Sequence, residues 1–210
     1  GKTTLAEKAA ESLGKSFRAM SVGPQSTQYH LLGYQDAQGR YVSTAFREAY
    51  ELGGVFLLDE VDAGSASVLT VINSALANGA CEFPDGRVKR HADFLCICAA
   101  NTYGLGADRV YVGRQQLDGA FLDRFVFLEV GYDETLERAI AGNDGWVDRV
   151  IKVRAAVATL KLRHVVSPRA SFQGARLLAA GFEQAQVEEM VLWRGLDSDA
   201  RAKVLGAVAS

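Results

Sequence analysis

GGVFLLDEVDAG, residues 53–64, is the stretch whose reading decides the fold. Val55 to Leu58 form an unbroken apolar run that meets two adjacent carboxylates, Asp59 and Glu60, with Asp62 two positions further on. A short run without polar interruption suits a central strand of a parallel sheet, covered on both faces. The acids then mark the point where the strand leaves the core. A solvated acidic turn is the competing reading of the pair, since acids also start helices. Asp62, three residues before Ser65, is read as an aid to starting the next helix and is given no chemical part.

The chain has 210 residues, 49% apolar and 23% charged, with a formal net charge of −2. These values describe a globular domain with one sizeable core and room for a second small one. They exclude a disordered chain or a broadly basic nucleic-acid binder. No apolar run approaches the ~18 residues of a membrane-spanning helix, and no secretory signal is visible. Cys96 and Cys98 alternate with apolar neighbours on an expected strand, and Cys81 stands apart. Three such thiols predict neither a disulfide framework nor a metal site, and they suit a reducing, cytoplasmic compartment.

Periodicity divides the chain. Thr4–Leu13 reads as a helix with Leu5, Ala9 and Leu13 on one stripe. Residues 17–23, 54–58, 93–100 and 125–130 read as strands. Helices are expected over Ser43–Leu52, with Ser43 as N-cap, and over Ala66–Ala77. Residues 33–42 and 81–90 read as hairpins, the second around Pro84-Asp85-Gly86. From Gly131 onward the pattern is helical: Glu134–Ala141, Gly145–Leu160, Pro168–Ala180, Glu183–Leu192 and Asp197 onward. The expected organisation is an α/β domain over 1–131 followed by a small helical one over 132–210.

The chain opens on Gly1-Lys2-Thr3-Thr4. That is the second half of G-x-x-x-x-G-K-[ST], in which main-chain N–H groups wrap phosphates at a helix start. Lys2 would reach the β- and γ-phosphates and Thr3 would place its hydroxyl on Mg²⁺. Alone, the four residues are weak, and a loop lysine beside a helix cap is the plain alternative. The acids at 59–60 strengthen the phosphate reading. A carboxylate at Asp59 can hold the ion or one of its waters, and Glu60 can take a proton from an attacking water. Asn101 ends the strand FLCICAAN, where its amide would face the γ-phosphate or hold the water. Arg124, in LDRF, would stabilise charge from a neighbouring subunit, with a salt bridge to Asp123 as the alternative. Arg109 and Arg114 lie in the preceding polar loop, and either is a candidate second interface arginine. Arg169, behind Ser167-Pro168, sits in the first turn of a helix, where a bound phosphate would offset the unfavourable macrodipole.

GKTTLA at 1–6, GGVFLLDEVDA at 53–63, AANTYG at 99–104, LDGAFLDRF at 117–125 and SPRA at 167–170 follow one another in an order that resembles a ring-forming AAA+ ATPase. Within that superfamily the chain resembles the MoxR-like and dynein-related group, and especially the small ATPase subunit of cobalt chelatase and its phage or bacterial relatives. The resemblance implies a P-loop NTPase three-layer core with a parallel sheet, a helical lid, and hairpin insertions. By likeness, Gly1, Lys2, Thr3 and Thr4 belong to the Walker A motif, Asp59 and Glu60 to Walker B, Asn101 to sensor 1, Arg124 to the arginine finger and Arg169 to sensor 2, acting on either side of the interface. ATP and Mg²⁺ are the implied cofactors, with Thr3 and Asp59 on the metal. The implied assembly is a homo-oligomeric, hexameric ring that remodels or activates a partner protein, in some relatives one with a von Willebrand A-type domain. Two rivals stand beside it: a nucleotide-binding structural subunit of a mixed ring, and a motor acting on nucleic acid through Arg87, Lys89 and Arg90. The first half of the phosphate loop is absent before Gly1, so a longer intact protein is expected to carry it.

Overall fold

The computed structural model describes residues 1–209. In chain order the elements are α1 (Lys2–Ser12), β1 (Phe17–Ser21), α2 (Gln28–Leu32), β2 (Tyr34–Gln35), β3 (Tyr41–Val42), α3 (Ala45–Leu52), β4 (Gly54–Asp59), α4 (Ala66–Asn78), β5 (Ala80–Phe83), β6 (Gly86–Lys89), β7 (Phe94–Cys98) and α5 (Gly119–Leu122). These are followed by α6 (Glu134–Ala141), α7 (Asp144–Thr159), α8 (Pro168–Ala179), α9 (Gln184–Val191) and α10 (Ser198–Ala209). A single 3₁₀ turn, Val61–Ala63, follows β4. The chain divides into two compact units, Gly1–Leu128 and Glu129–Ser210.

The first unit is built on a parallel sheet in the order β1-β4-β7. Its centre is the apolar run of the quoted stretch, and every residue from Gly54 to Leu58 is buried. Alternation along the strand sends its side chains to two different cores. Phe56 and Leu58 join the large cluster with Phe46 and Tyr50 of α3 and Val68 and Ile72 of α4. Leu57 points the other way, against Ala6 of α1 and Ala99. The architecture is therefore the α/β core with a parallel sheet that P-loop nucleotide-binding folds share, followed along the chain by an all-helical unit. Two small hairpins, β2–β3 and β5–β6, stand outside the sheet. They touch each other: Gln35 donates to the Pro84 carbonyl at 3.1 Å. The buried Arg47 also joins α3 to the second hairpin through Asp85 at 2.6 Å.

The second unit packs α6 to α10 around Trp146, Val150, Val153, Val187, Leu192, Trp193 and Val204. Asp133 caps α6 by accepting from the Leu136 N–H, and Asn143 caps α7 by accepting from that of Trp146. Gly174 lets α8 lie directly against the Trp146 indole, leaving no space for a Cβ. The buried Glu137 carboxylate takes two nitrogens of Arg154 at 2.6 and 3.0 Å and the Ser171 hydroxyl. Burial pushes that carboxyl upward, but Arg154 and Ser171 outweigh burial and hold it below its ordinary range.

Three expectations change. Residues 125–130 form no strand: Val126 is 99% exposed and Phe127 and Leu128 are also exposed. An apolar pattern needs a ladder partner to become a strand, and none runs beside this segment among the described residues. Thr44, not Ser43, caps α3, accepting from the Arg47 N–H at 3.2 Å. The five-residue helix α2 is additional. Among the described residues no helix is long and apolar enough to cross a membrane.

Candidate nucleotide site

The site stands where the start of α1 meets the C-terminal ends of β4 and β7. Gly1 occupies the N-cap of α1 with no side-chain hydrogen bond to the first turn. The first N–H groups of that helix are therefore not taken by a cap, the arrangement that anions favour. Thr4 is exposed on this same turn. The Lys2 ammonium donates to Asn101 Oδ1 at 2.6 Å, across 99 residues of sequence. The Thr3 hydroxyl donates to Asp59 Oδ2 at 2.8 Å. Two contacts thus bring Lys2, Thr3, Asp59 and Asn101 together at one corner of the fold.

Glu60 follows on a left-handed backbone, φ 58° and ψ 39°, its N–H donating to Asp59 Oδ1 at 2.9 Å. The Glu60 side chain is half exposed. The two acids therefore part, one toward Thr3 and the other toward the loop that carries Arg114.

Asp62 is the residue that sequence reasoning passed over. It is fully buried, and its Oδ2 accepts from the Asn101 N–H, the Thr102 N–H and the Thr102 hydroxyl, each at 3.0 Å. It does not start α4; it ties the turn after β4 to the turn after β7 and so fixes the main chain that carries Asn101. Its carbonyl also accepts from the Gln115 N–H at 2.7 Å. Arg114 is turned inward, with Nη1 3.5 Å from Glu60 Oε2 and 3.4 Å from Asp62 Oδ1. In sequence, Arg114 is marked only by sharing a polar loop with the exposed Arg109.

Arg124 is exposed at the end of α5 and donates to the Ala120 carbonyl of its own helix. It is not drawn to the Lys2–Asn101 corner. Arg169 is exposed in the first turn of α8, in the second unit, behind Ser167 and Pro168. The basic hairpin is partly spent on its own surroundings. Arg87 lies 3.6 Å from Glu82, and Arg90 donates to the Leu76 carbonyl at 2.9 Å. A groove of about 480 Å³ between α4 and that hairpin shares no lining residue with the site.

The donors at the corner suit a phosphate-bound Mg²⁺. Thr3 and Asp59 offer oxygen only, and among the described residues no group of three or more His, Cys, Asp or Glu forms a metal cage. A hard ion that keeps most of its waters takes one or two protein oxygens and the rest from phosphate.

Known proteins place the fold. Two RuvB mutant structures from Thermotoga maritima superpose with TM-scores of 0.60 and 0.55 at 18% and 19% identity, covering 96% and 98% of this chain. The chain spans 63% and 57% of those two structures. No curated protein is significantly similar to it in sequence. The profile of the AAA domain, dynein-related subfamily, matches residues 1–125, more than half of the chain, with the Lys2–Asn101 corner inside the match. This chain belongs to the AAA domain family, in its dynein-related subfamily, a family of ATP-hydrolysing AAA+ domains.

Proposed function

We infer that the protein hydrolyses ATP with Mg²⁺ at the corner between α1, β4 and β7, and that it works as a ring on a partner protein. The observation that carries the reading is the pair of contacts Lys2–Asn101 and Thr3–Asp59. In each, a side chain from the start of α1 meets one at the end of an inner strand.

The chain's own residues have separable tasks. Lys2 carries a positive charge to the mouth of the helix, where it compensates phosphate oxygens, and Asn101 holds it there meanwhile. The uncapped N–H groups after Gly1, with Thr4 in the same turn, complete the anion cradle. Thr3 and Asp59 present their oxygens side by side, as a metal ion requires. Glu60 takes the proton of an attacking water, and Asn101 orients that water by its amide. Bound ATP–Mg²⁺ would supply the phosphoanhydride and the charge that offsets the leaving group. In this reading Arg124, exposed and donating to its own helix turn, serves a neighbouring copy, so turnover depends on assembly. Arg169 keeps the phosphate-sensing part that the resemblance gives it, on either side of a subunit interface. A hexameric ring, remodelling of a partner in the MoxR or chelatase manner, and a partner with a von Willebrand A-type domain are the finer parts of this reading. The internal engagement of Arg87 and Arg90 favours a protein partner over nucleic acid.

Nucleotide binding and turnover by the full-length protein test the site. Lys2→Ala should abolish both. Glu60→Gln should keep binding of a fluorescent ATP analogue and lose turnover by about 100-fold or more, the usual contribution of a general base. Wild-type turnover in Glu60→Gln, or wild-type binding in Lys2→Ala, would sink the reading. Binding without any turnover in the wild type would favour the structural-subunit alternative.

A further inference from the structure

We propose that Arg114 is a positioning residue for Glu60: a single guanidinium nitrogen, shared between Glu60 and the buried Asp62, sets whether Glu60 is free to accept a proton. This rests on the reading of Glu60 given above. Arg114 Nη1 stands 3.5 Å from Glu60 Oε2 and 3.4 Å from Asp62 Oδ1. Both distances exceed the roughly 2.7–2.9 Å of a settled charge-assisted hydrogen bond. The cation therefore lies between two carboxylates and is committed to neither.

The surroundings define two resting places for it. Asp62 Oδ2 is saturated by the Asn101 and Thr102 donors, whereas Asp62 Oδ1 is buried with no directed hydrogen bond, the Arg114 contact being charge proximity alone. A buried carboxylate oxygen left in that state draws a donor toward it. On the other side, Glu60 is 51% exposed and Arg114 only 14%. The main chain holds still while the side chains choose. Gln115, next to Arg114, is tied to the Asp62 carbonyl, and the Glu60 N–H is tied to Asp59. When Arg114 lies on Glu60, the carboxylate oxygen is occupied and cannot accept a proton from water. When it closes on Asp62, the orphan oxygen gains its donor and Glu60 is released.

Two variants of the full-length protein, read by steady-state ATP turnover, should move in opposite directions. Arg114→Gln frees Glu60 and should raise turnover by about two- to fivefold, the scale of a partly exposed ion pair, with KM for ATP unchanged. Arg114→Lys keeps the charge and should return turnover toward wild type. Asp62→Asn keeps the shape and an acceptor for Asn101 and Thr102 but removes the charge that competes for Arg114. It should lower turnover by a similar factor, again at constant KM. A merely structural Arg114 would lower turnover in Arg114→Gln, and that result, or no change, overturns the proposal. A rise in Asp62→Asn overturns it equally. If one variant fails to fold, the sign of the other decides. Glu60→Gln separates the two levels. Wild-type turnover there removes Glu60 as base, whereas loss of turnover there with an unmoved Arg114→Gln removes only the role of Arg114. In the Glu60→Gln background, Arg114→Gln should add nothing, and a gain would refute action through Glu60.

Discussion

Asp62→Ala should unfold the corner of the molecule proposed to bind nucleotide. The carboxylate is wholly buried and one oxygen accepts three hydrogen bonds at 3.0 Å. Bonds to a charged acceptor contribute about 1.5–3 kcal/mol each, so the gross loss is roughly 5–9 kcal/mol. Removing the charge also relieves its desolvation, the Thr102 hydroxyl can turn to water, and the Asn101 and Thr102 amides are only partly buried. The net cost should then be near the ~3–5 kcal/mol typical of breaking a buried charge network from one side. Tryptophan fluorescence will not register it, because Trp146 and Trp193 both lie in the second unit. Urea unfolding followed by far-UV circular dichroism gives the stability, and amide exchange at Asn101 and Thr102 gives the location. A loss under about 1 kcal/mol, with both amides still protected, would refute the assignment of Asp62 as the tie between the two turns.

Three further outcomes are expected. In the second unit, Arg154 and Ser171 hold Glu137 below its ordinary range, so its contribution is full above the unfolded value of about 4.3 and fades as pH falls through the lower folded value. Glu137→Gln should cost about 3 kcal/mol at neutral pH and flatten the acid limb of a fluorescence-detected stability profile; an unchanged limb would assign the acid sensitivity elsewhere. Gly174→Ala drives a methyl into the Trp146 ring and should cost roughly 1–3 kcal/mol, seen as a lower thermal midpoint with altered tryptophan emission, whereas a neutral result would show that the ring can yield. Arg124→Ala should leave ATP-analogue binding intact and abolish turnover of the assembled protein, with partial recovery on mixing with Lys2→Ala subunits; no recovery in any ratio would count against action across an interface.

Local pattern disclosed more of this protein than long-range pattern did. The helix Glu134–Ala141 is legible to the residue, because Asp133 before it and Gly142 after it are punctuation that the backbone obeys. The run Val55 to Leu58 is legible as an inner strand because burial on both faces leaves no place for a polar residue. Lys2, Thr3, Asp59 and Asn101 are legible as candidates because each ends or begins an element, and the fold does bring them to one corner. Their chemical parts rest on the proposal. Asp62 and Arg114 are not legible, since their partners lie 39 and more residues away and nothing in their neighbours reports a contact. Residues 125–130 mislead for the complementary reason: an apolar run describes the side chains' preference for burial, while a strand also needs a neighbour for its main chain.

The left-handed turn at Glu60 has an engineering consequence. Among the described residues only Glu60 and Lys161 adopt positive φ without being glycine, a conformation that costs an L-residue about 1–2 kcal/mol. Glycine at 60 would relieve that strain and delete the acid in one stroke. A selection scored on heat resistance alone would therefore enrich Glu60→Gly and, on the part proposed for Glu60, deliver a hardier chain that has lost its work, so any campaign to toughen this domain has to score turnover in the same round.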